Sequence, residues 1–335
     1  MNHIRVLITT LALLLSITMC NAQDKPELTI YTYDAFAADW GPAPKLKEAF
    51  EKECDCTLTF VVADNSIGTL RKVQLEGKDT KADIVLGLDT NIMENARDTD
   101  LFAPHGANAS KLAIPVEWTD EIFLPFDYSY FAFVYDSEQV TNPPASFEEL
   151  AAMPDDFKIV VQDPRSSTPG LGLVLWMREA YGDKAPEMWQ KIAPKILTVT
   201  KGWSDAYNLF LKGEADMALS YTTSPAYHLI AEGEGKFAAA EFQEGHYVQV
   251  EVAGILKSSK QPELAKKFMQ FMLSDAFQDV IPTTNWTYPA TKTAKGLPKG
   301  FETLYVPEKT LLIDGKDVEK NRKAWIEEWL KAIGK

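Results

Sequence analysis

The chain is poor in the residues from which most enzymes and metal centres are built. It carries three cysteines and four histidines in 335 residues. His105, His228 and His246 stand in no ligand-like spacing. There is no His-Glu-x-x-His, no Gly-x-Ser-x-Gly, no Gly-x-x-x-x-Gly-Lys phosphate loop and no Rossmann glycine fingerprint. Metal-assisted and nucleophilic hydrolysis therefore lack sequence support. A hydrolase working through two carboxylates stays open, because their separation is set only in three dimensions. Beyond the first residues no apolar run approaches ~20, which argues against membrane insertion of the mature chain. Positive charge is scarce as well: 34 Lys and Arg stand against 48 Asp and Glu, a formal charge of −14. That field repels nucleic acid and anionic membrane surfaces and favours the approach of cations.

What is present begins with an export signal over residues 1–22. Arg5 supplies the basic start, Val6–Leu15 the apolar stretch, and Cys20-Asn21-Ala22 a small-residue cleavage site before Gln23. Acylation at Cys20 is the rival reading. With Cys20 removed, Cys54 and Cys56 form an even pair in an oxidising compartment, candidates for a disulfide rather than a metal site. The roughly 310 remaining residues exceed what one hydrophobic core usually serves, so two lobes are expected.

Apolar β-rich runs alternate with helical patterns. Leu28–Tyr33 precedes a helix over Pro42–Lys52, Leu58–Val62 one over Ile67–Glu76, and Ala82–Leu88 one over Asn91–Ala96. Farther on, Lys158–Val161 precedes Leu171–Tyr181, Ile196–Thr200 precedes Ser204–Lys212, and Met217–Tyr221 precedes Pro225–Ala231. The alternation implies an α/β protein with parallel-rich sheets covered by helices. Phe123–Tyr135 and His246–Leu256 are longer and suit strands crossing between lobes. Lobe one would then hold 23–125 plus 256–335, and lobe two 126–255. The tail Val318–Ile333 repeats Trp325, Trp329 and Ile333 at helical spacing and is expected to pack on the first lobe.

Open parallel sheets bind ligands beyond the carboxyl ends of their strands. Those ends carry Asp64-Asn65-Ser66, Asp89-Thr90-Asn91, Ser166-Ser167-Thr168, Trp203-Ser204-Asp205 and Tyr221-Thr222-Thr223-Ser224. Each polar residue could simply cap its helix. Pro169-Gly170 after Thr168 allows a close backbone approach at a helix N-terminus, which welcomes an anion. Trp203 and Tyr221 add aromatics that capping does not require. Trp286 lies in the polar segment Pro282–Pro289, where a large aromatic needs a reason.

Several segments resemble the thiamine-binding substrate-binding proteins of bacterial ABC importers. They include Tyr31-Thr-Tyr-Asp34, Phe36–Pro42, Ala82–Asp89, Pro125-Phe-Asp-Tyr128, Gln162–Leu173, Val199–Ser204, Leu219–His228 and Glu244-Gly-His-Tyr247. The likeness spans nearly all of the mature chain. It implies a two-lobed periplasmic binding protein fold of the type II kind, with hinge crossings and a ligand cleft between the lobes. It further implies periplasmic capture of thiamine, thiamine monophosphate or thiamine diphosphate and delivery to a permease coupled to an ATPase. On matching positions it implies a site at Asn65, Ser66, Ser167, Thr168, Trp203, Tyr221, Thr222, Thr223 and Ser224, with Tyr33, Tyr227 and Trp286 as aromatic walls. Thiamine is then cargo, with no catalytic residue, metal or cofactor. The family has an acid where this chain has Asn65, with Asp64 beside it. A same-fold carrier of ferric iron is the nearest alternative; the adjacent tyrosine pair usual in such carriers is lacking, since Tyr31 and Tyr33, like Tyr128 and Tyr130, are separated by one residue.

Overall fold

The computed structural model describes residues 25–334, so the export segment expected at 1–22 lies outside the described residues. Twelve strands are described: β1 (Glu27–Tyr33), β2 (Thr57–Ala63), β3 (Ile84–Asp89), β4 (Phe102–Ala103), β5 (Phe123–Asp136), β6 (Ile159–Gln162), β7 (Ile196–Thr200), β8 (Met217–Tyr221), β9 (Phe237–Ala239), β10 (His246–Leu256), β11 (Tyr288–Pro289) and β12 (Thr310–Leu311). The main path runs β2-β1-β3-β10-β5-β8-β6-β7. β1, β2 and β3 are parallel, as are β6, β7 and β8. β10 and β5 lie between the two groups, antiparallel to each other and to their outer neighbours.

The chemistry of β5 and β10 suits that central place. β10 is buried along its whole length, and so is β5 except at Tyr128, Tyr135 and Asp136. The first half of β5 pairs with β10 and its second half, from Phe131, pairs with β8 and β9. One strand thus belongs to both groups, and the chain crosses between them without a loop. β3 is buried on both faces, the mark of a parallel strand covered by helices on either side.

Helices complete the cores. In Pro262–Met272 the buried residues Ala265, Phe268, Met269 and Met272 recur at helical spacing, and Phe268 and Phe271 meet Phe50 at ring distances of 5.0 and 5.1 Å. Cys54 and Cys56 are bonded at the end of the helix Ala43–Cys54, with Cα atoms 5.1 Å apart. The helix expected from Leu171 begins three residues earlier, at Thr168. The expected helix over 225–231 is one α turn, Pro225–Tyr227, that widens into a π turn at His228–Glu232.

The C-terminal helix meets the first lobe, as expected, and the second lobe as well. Gly315–Ala332 lies against the helices Thr168–Tyr181 and Ala185–Ile192 as well as Met93–Arg97. Trp329 meets the edge of Trp189 at 6.5 Å, and Arg178 lies over the Trp325 ring and pairs with Glu328. On the other side Asn95 Nδ2 reaches Glu319 at 3.4 Å. Helical periodicity fixes which face is apolar, not which neighbour covers it. The tail therefore straps both groups of the fold together.

Candidate ligand-binding cleft

Three carboxylates lie side by side where the two strand groups meet. Glu251 of β10 is in register with Asp89 of β3 on one side and Asp127 of β5 on the other. All three are buried. Apart from each other, their hydrogen-bond partners are neutral. Gln249 Nε2 donates to Asp89 Oδ2 at 2.6 Å and lies 3.4 Å from Thr168 Oγ1. Asn285 Nδ2 is 2.6 Å from Asp127 Oδ2 and 3.1 Å from Glu251 Oε2. The Thr287 hydroxyl donates to Asp127 at 2.8 Å and the Tyr33 phenol to Glu251 at 2.9 Å. Among the described residues no lysine or arginine pairs with any of the three, and the groups that shift their protonation include none.

Burial without a counter-charge disfavours the ionised form. It pushes the carboxyls of Asp89 and Asp127 up to about 6 against the pull of their hydrogen bonds. Glu251 is raised well above the carboxylate range, first by burial and then by the charge of Asp127. Tyr33 and Tyr221 are held neutral by burial and by the same acids: Glu251 and Asp127 for Tyr33, all three for Tyr221. Tyr33 reaches this place because Gly87, at φ 95°, has no side chain; a Cβ there would sit 2.3 Å from the Tyr33 ring.

Of the sequence-derived candidates, Tyr33, Thr168 and Tyr221 thus converge on the acid row. Tyr221 also stacks on Phe131 at 5.3 Å. A second group forms beside it. Trp203 Nε1 donates to Ser220 Oγ at 2.8 Å, Ser220 and Ser224 hydroxyls are 2.6 Å apart, and Ser224 Oγ accepts from the Tyr221 amide at 3.2 Å. Trp203 lies stacked on Tyr207 at 4.9 Å. Thr223 bonds Ser129 at 2.9 Å, and the buried Thr222 hydroxyl has no hydrogen-bond partner. Tyr227 and Trp286 form an edge-to-face pair at 5.3 Å. Trp286 has φ 59°, a left-handed conformation that a bulky residue adopts only under constraint.

The remaining candidates sit at helix starts. Asn65 Oδ1 accepts from the Gly68 amide and caps Ser66–Glu76, of which Ser66 is the buried first residue. Ser167 occupies the N-cap position of Thr168–Tyr181, buried, with no side-chain cap bond. Gly170 lets that helix start close on β6, since a Cβ would lie 2.5 Å from the Gln162 carbonyl. Near these starts the two lobes touch: Asp64 pairs with Lys201, and Arg71 Nη2 donates to the Arg165 carbonyl at 3.1 Å. The Arg165 guanidinium itself is forked onto Asp163. Surface hollows of about 230 and 620 Å³ lie elsewhere, around Lys111, Lys267 and Lys292, and include none of the candidates.

Sequence reasoning missed Asp127, Gln249, Glu251 and Asn285 as site residues. The signal was there for two of them: Asp127 and Glu251 are charges inside otherwise apolar strand runs. Such charges are rarely tolerated without a purpose.

Two α/β lobes joined by shared central strands, with polar groups from both converging at the junction, define a two-lobed solute-binding protein. The profile of the family described as bacterial extracellular solute-binding protein matches residues 31–279, and the chain belongs to that family. It is 55% identical to the thiamine-binding periplasmic protein of Salmonella typhimurium over 93% of this chain and 94% of that one. The corresponding protein of Haemophilus influenzae is 39% identical, with 98% of each chain covered. A solved structure described as a periplasmic thiamin binding protein superposes with a TM-score of 0.89 at 54% identity, covering 92% of this chain and 96% of the other.

Proposed function

We propose that this periplasmic protein captures thiamine, or its mono- or diphosphate, and delivers it to a membrane permease driven by an ATPase. The observation that carries the reading is the row Asp89, Glu251 and Asp127, buried beside aromatic rings with no lysine or arginine partner among the described residues. Such a site calls for a cation, and thiamine carries one in a ring. The relatives named for thiamine binding support the same ligand. Rings of Tyr221, Trp203, Tyr227 and Trp286 would hold the flat parts, each contact contributing about 0.5–2 kcal/mol. Amides at the start of Thr168–Tyr181 would take a phosphate tail.

Capture works by closure. A ligand touching Tyr33 and Asp89 from one lobe and Thr168 and Tyr221 from the other favours the form in which the lobes are together, the form a permease distinguishes. No bond is made or broken, so neither catalytic residue nor cofactor enters, and thiamine is cargo. Ferric iron is the weaker reading: the adjacent tyrosine pair of such carriers is lacking, and the relatives at 39% and 55% identity are named for thiamine. Calorimetric titration with thiamine and its two phosphates tests the proposal. Stoichiometric binding at micromolar affinity or tighter, about −8 kcal/mol or more, is expected. Absence of heat and of tryptophan fluorescence change for all three would refute it.

A further inference from the structure

We propose that Asp127 and Glu251 hold a single proton between them while the cleft is empty, and that capture of a cationic ligand expels it, so that uptake is coupled to proton release. The inference rests on the proposed cationic cargo.

The geometry carries it. The two residues face each other on paired strands, and their carboxyls are within hydrogen-bonding reach. Two carboxylates have only acceptors to offer, so that contact is satisfied only if one of them carries a proton. Around the pair, donors are too few. Asn285 Nδ2 stands between Asp127 Oδ2 and Glu251 Oε2, Thr287 serves Asp127, and Tyr33 serves Glu251. Asp127 Oδ1, buried, accepts from no N–H or O–H placed by the fold. That is the atom a shared proton would serve.

The one charged neighbour disfavours a second negative charge, and the phenols bring no positive charge to offset it, although Tyr33 donates a hydrogen bond to Glu251. Asp89 of β3 stands across β10 from Asp127, and Tyr33 of β1 and Tyr221 of β8 are neutral phenols. No lysine, arginine or histidine faces the pair among the described residues. Like charges this close in a buried place do not both ionise, as in carboxylate dyads generally. A cation in the cleft changes the balance. It stabilises the doubly ionised pair, the proton leaves to solvent, and the net charge of the site is unchanged.

Linkage fixes the sign: a proton lost on binding makes affinity rise with pH. Thiamine affinity of the intact protein, measured by calorimetry from about pH 6.5 to about 8.5, should rise by up to about tenfold per pH unit. Repeating the titration at one pH in buffers of different ionisation enthalpy counts the proton directly. In Glu251→Gln the amide donates to Asp127 in the proton's place, so thiamine should bind more weakly than to wild type at about pH 8.5, with affinity independent of pH and no proton released. Asp127→Asn is the second variant, with the same expected loss of pH dependence, should the first not fold. Wild-type binding with no proton release, or release unchanged in both variants, overturns the proposal. Failure of thiamine to bind wild-type protein at any pH overturns the functional reading instead.

Discussion

Replacing Asp127 by Asn should make the ligand-free protein more stable, and only at neutral and alkaline pH. Folding raises the Asp127 carboxyl from 3.8 to about 6. The sign follows from linkage. Below about pH 4 the group is protonated in both states and costs nothing; between about pH 4 and 6 the unfolded chain ionises first; above about 6 the full cost is present. That displacement corresponds to about 3 kcal/mol at pH 8. Asparagine removes the charge and keeps the shape. Its carbonyl accepts from Asn285 and Thr287 as the carboxylate does, and its amide replaces the unpartnered Oδ1 and donates to Glu251. Urea denaturation followed by tryptophan fluorescence, without ligand, should show a gain of about 2–3 kcal/mol at pH 8 and little change near pH 4. Thiamine affinity should fall by about tenfold or more, because the retained charge serves the ligand and not the fold. Destabilisation at pH 8, or an equal gain at both pH values, would refute the reasoning.

Trp203→Ala removes both the Tyr207 stack and the hydrogen bond to Ser220, so it should weaken thiamine binding by about tenfold and also cost about 1–3 kcal/mol of stability, read by calorimetry and urea denaturation. His246 is buried as a neutral ring: its Nδ1 donates to the Phe131 carbonyl at 2.7 Å and its Nε2 accepts from the Phe242 amide at 3.0 Å. Burial depresses it from 6.5 to about 4. Its contribution is therefore intact above about pH 6.5 and lost as pH falls toward about 4, about 3 kcal/mol in all. An NMR titration should show the His246 ring unprotonated at pH 5.5; a midpoint near 6.5 would contradict the buried tautomer.

Much of the fold was legible because the alternation of apolar runs with helical patterns is a local property. β1, β2, β3, β6, β7 and β8 lie where their runs are, and the long runs at Phe123 and His246 are the central strands. What was illegible is relational. Nothing local in Trp325, Trp329 or Ile333 says that the tail meets Trp189 and Arg178. The register that sets Glu251 between Asp89 and Asp127 comes from pairing across more than 100 residues of chain. Asn65 shows the limit from the other side. Its type and place suit a ligand contact or a helix cap equally well, and its carbonyl is engaged in the cap.

On the proposed function, the acid row recognises the positive ring of thiamine. Calorimetric comparison of thiamine with an analogue whose charged thiazolium is replaced by a neutral ring of the same shape tests that directly. The account predicts that the neutral analogue binds about 100-fold more weakly or worse, a loss of about 3 kcal/mol. Equal affinity for the two would contradict it.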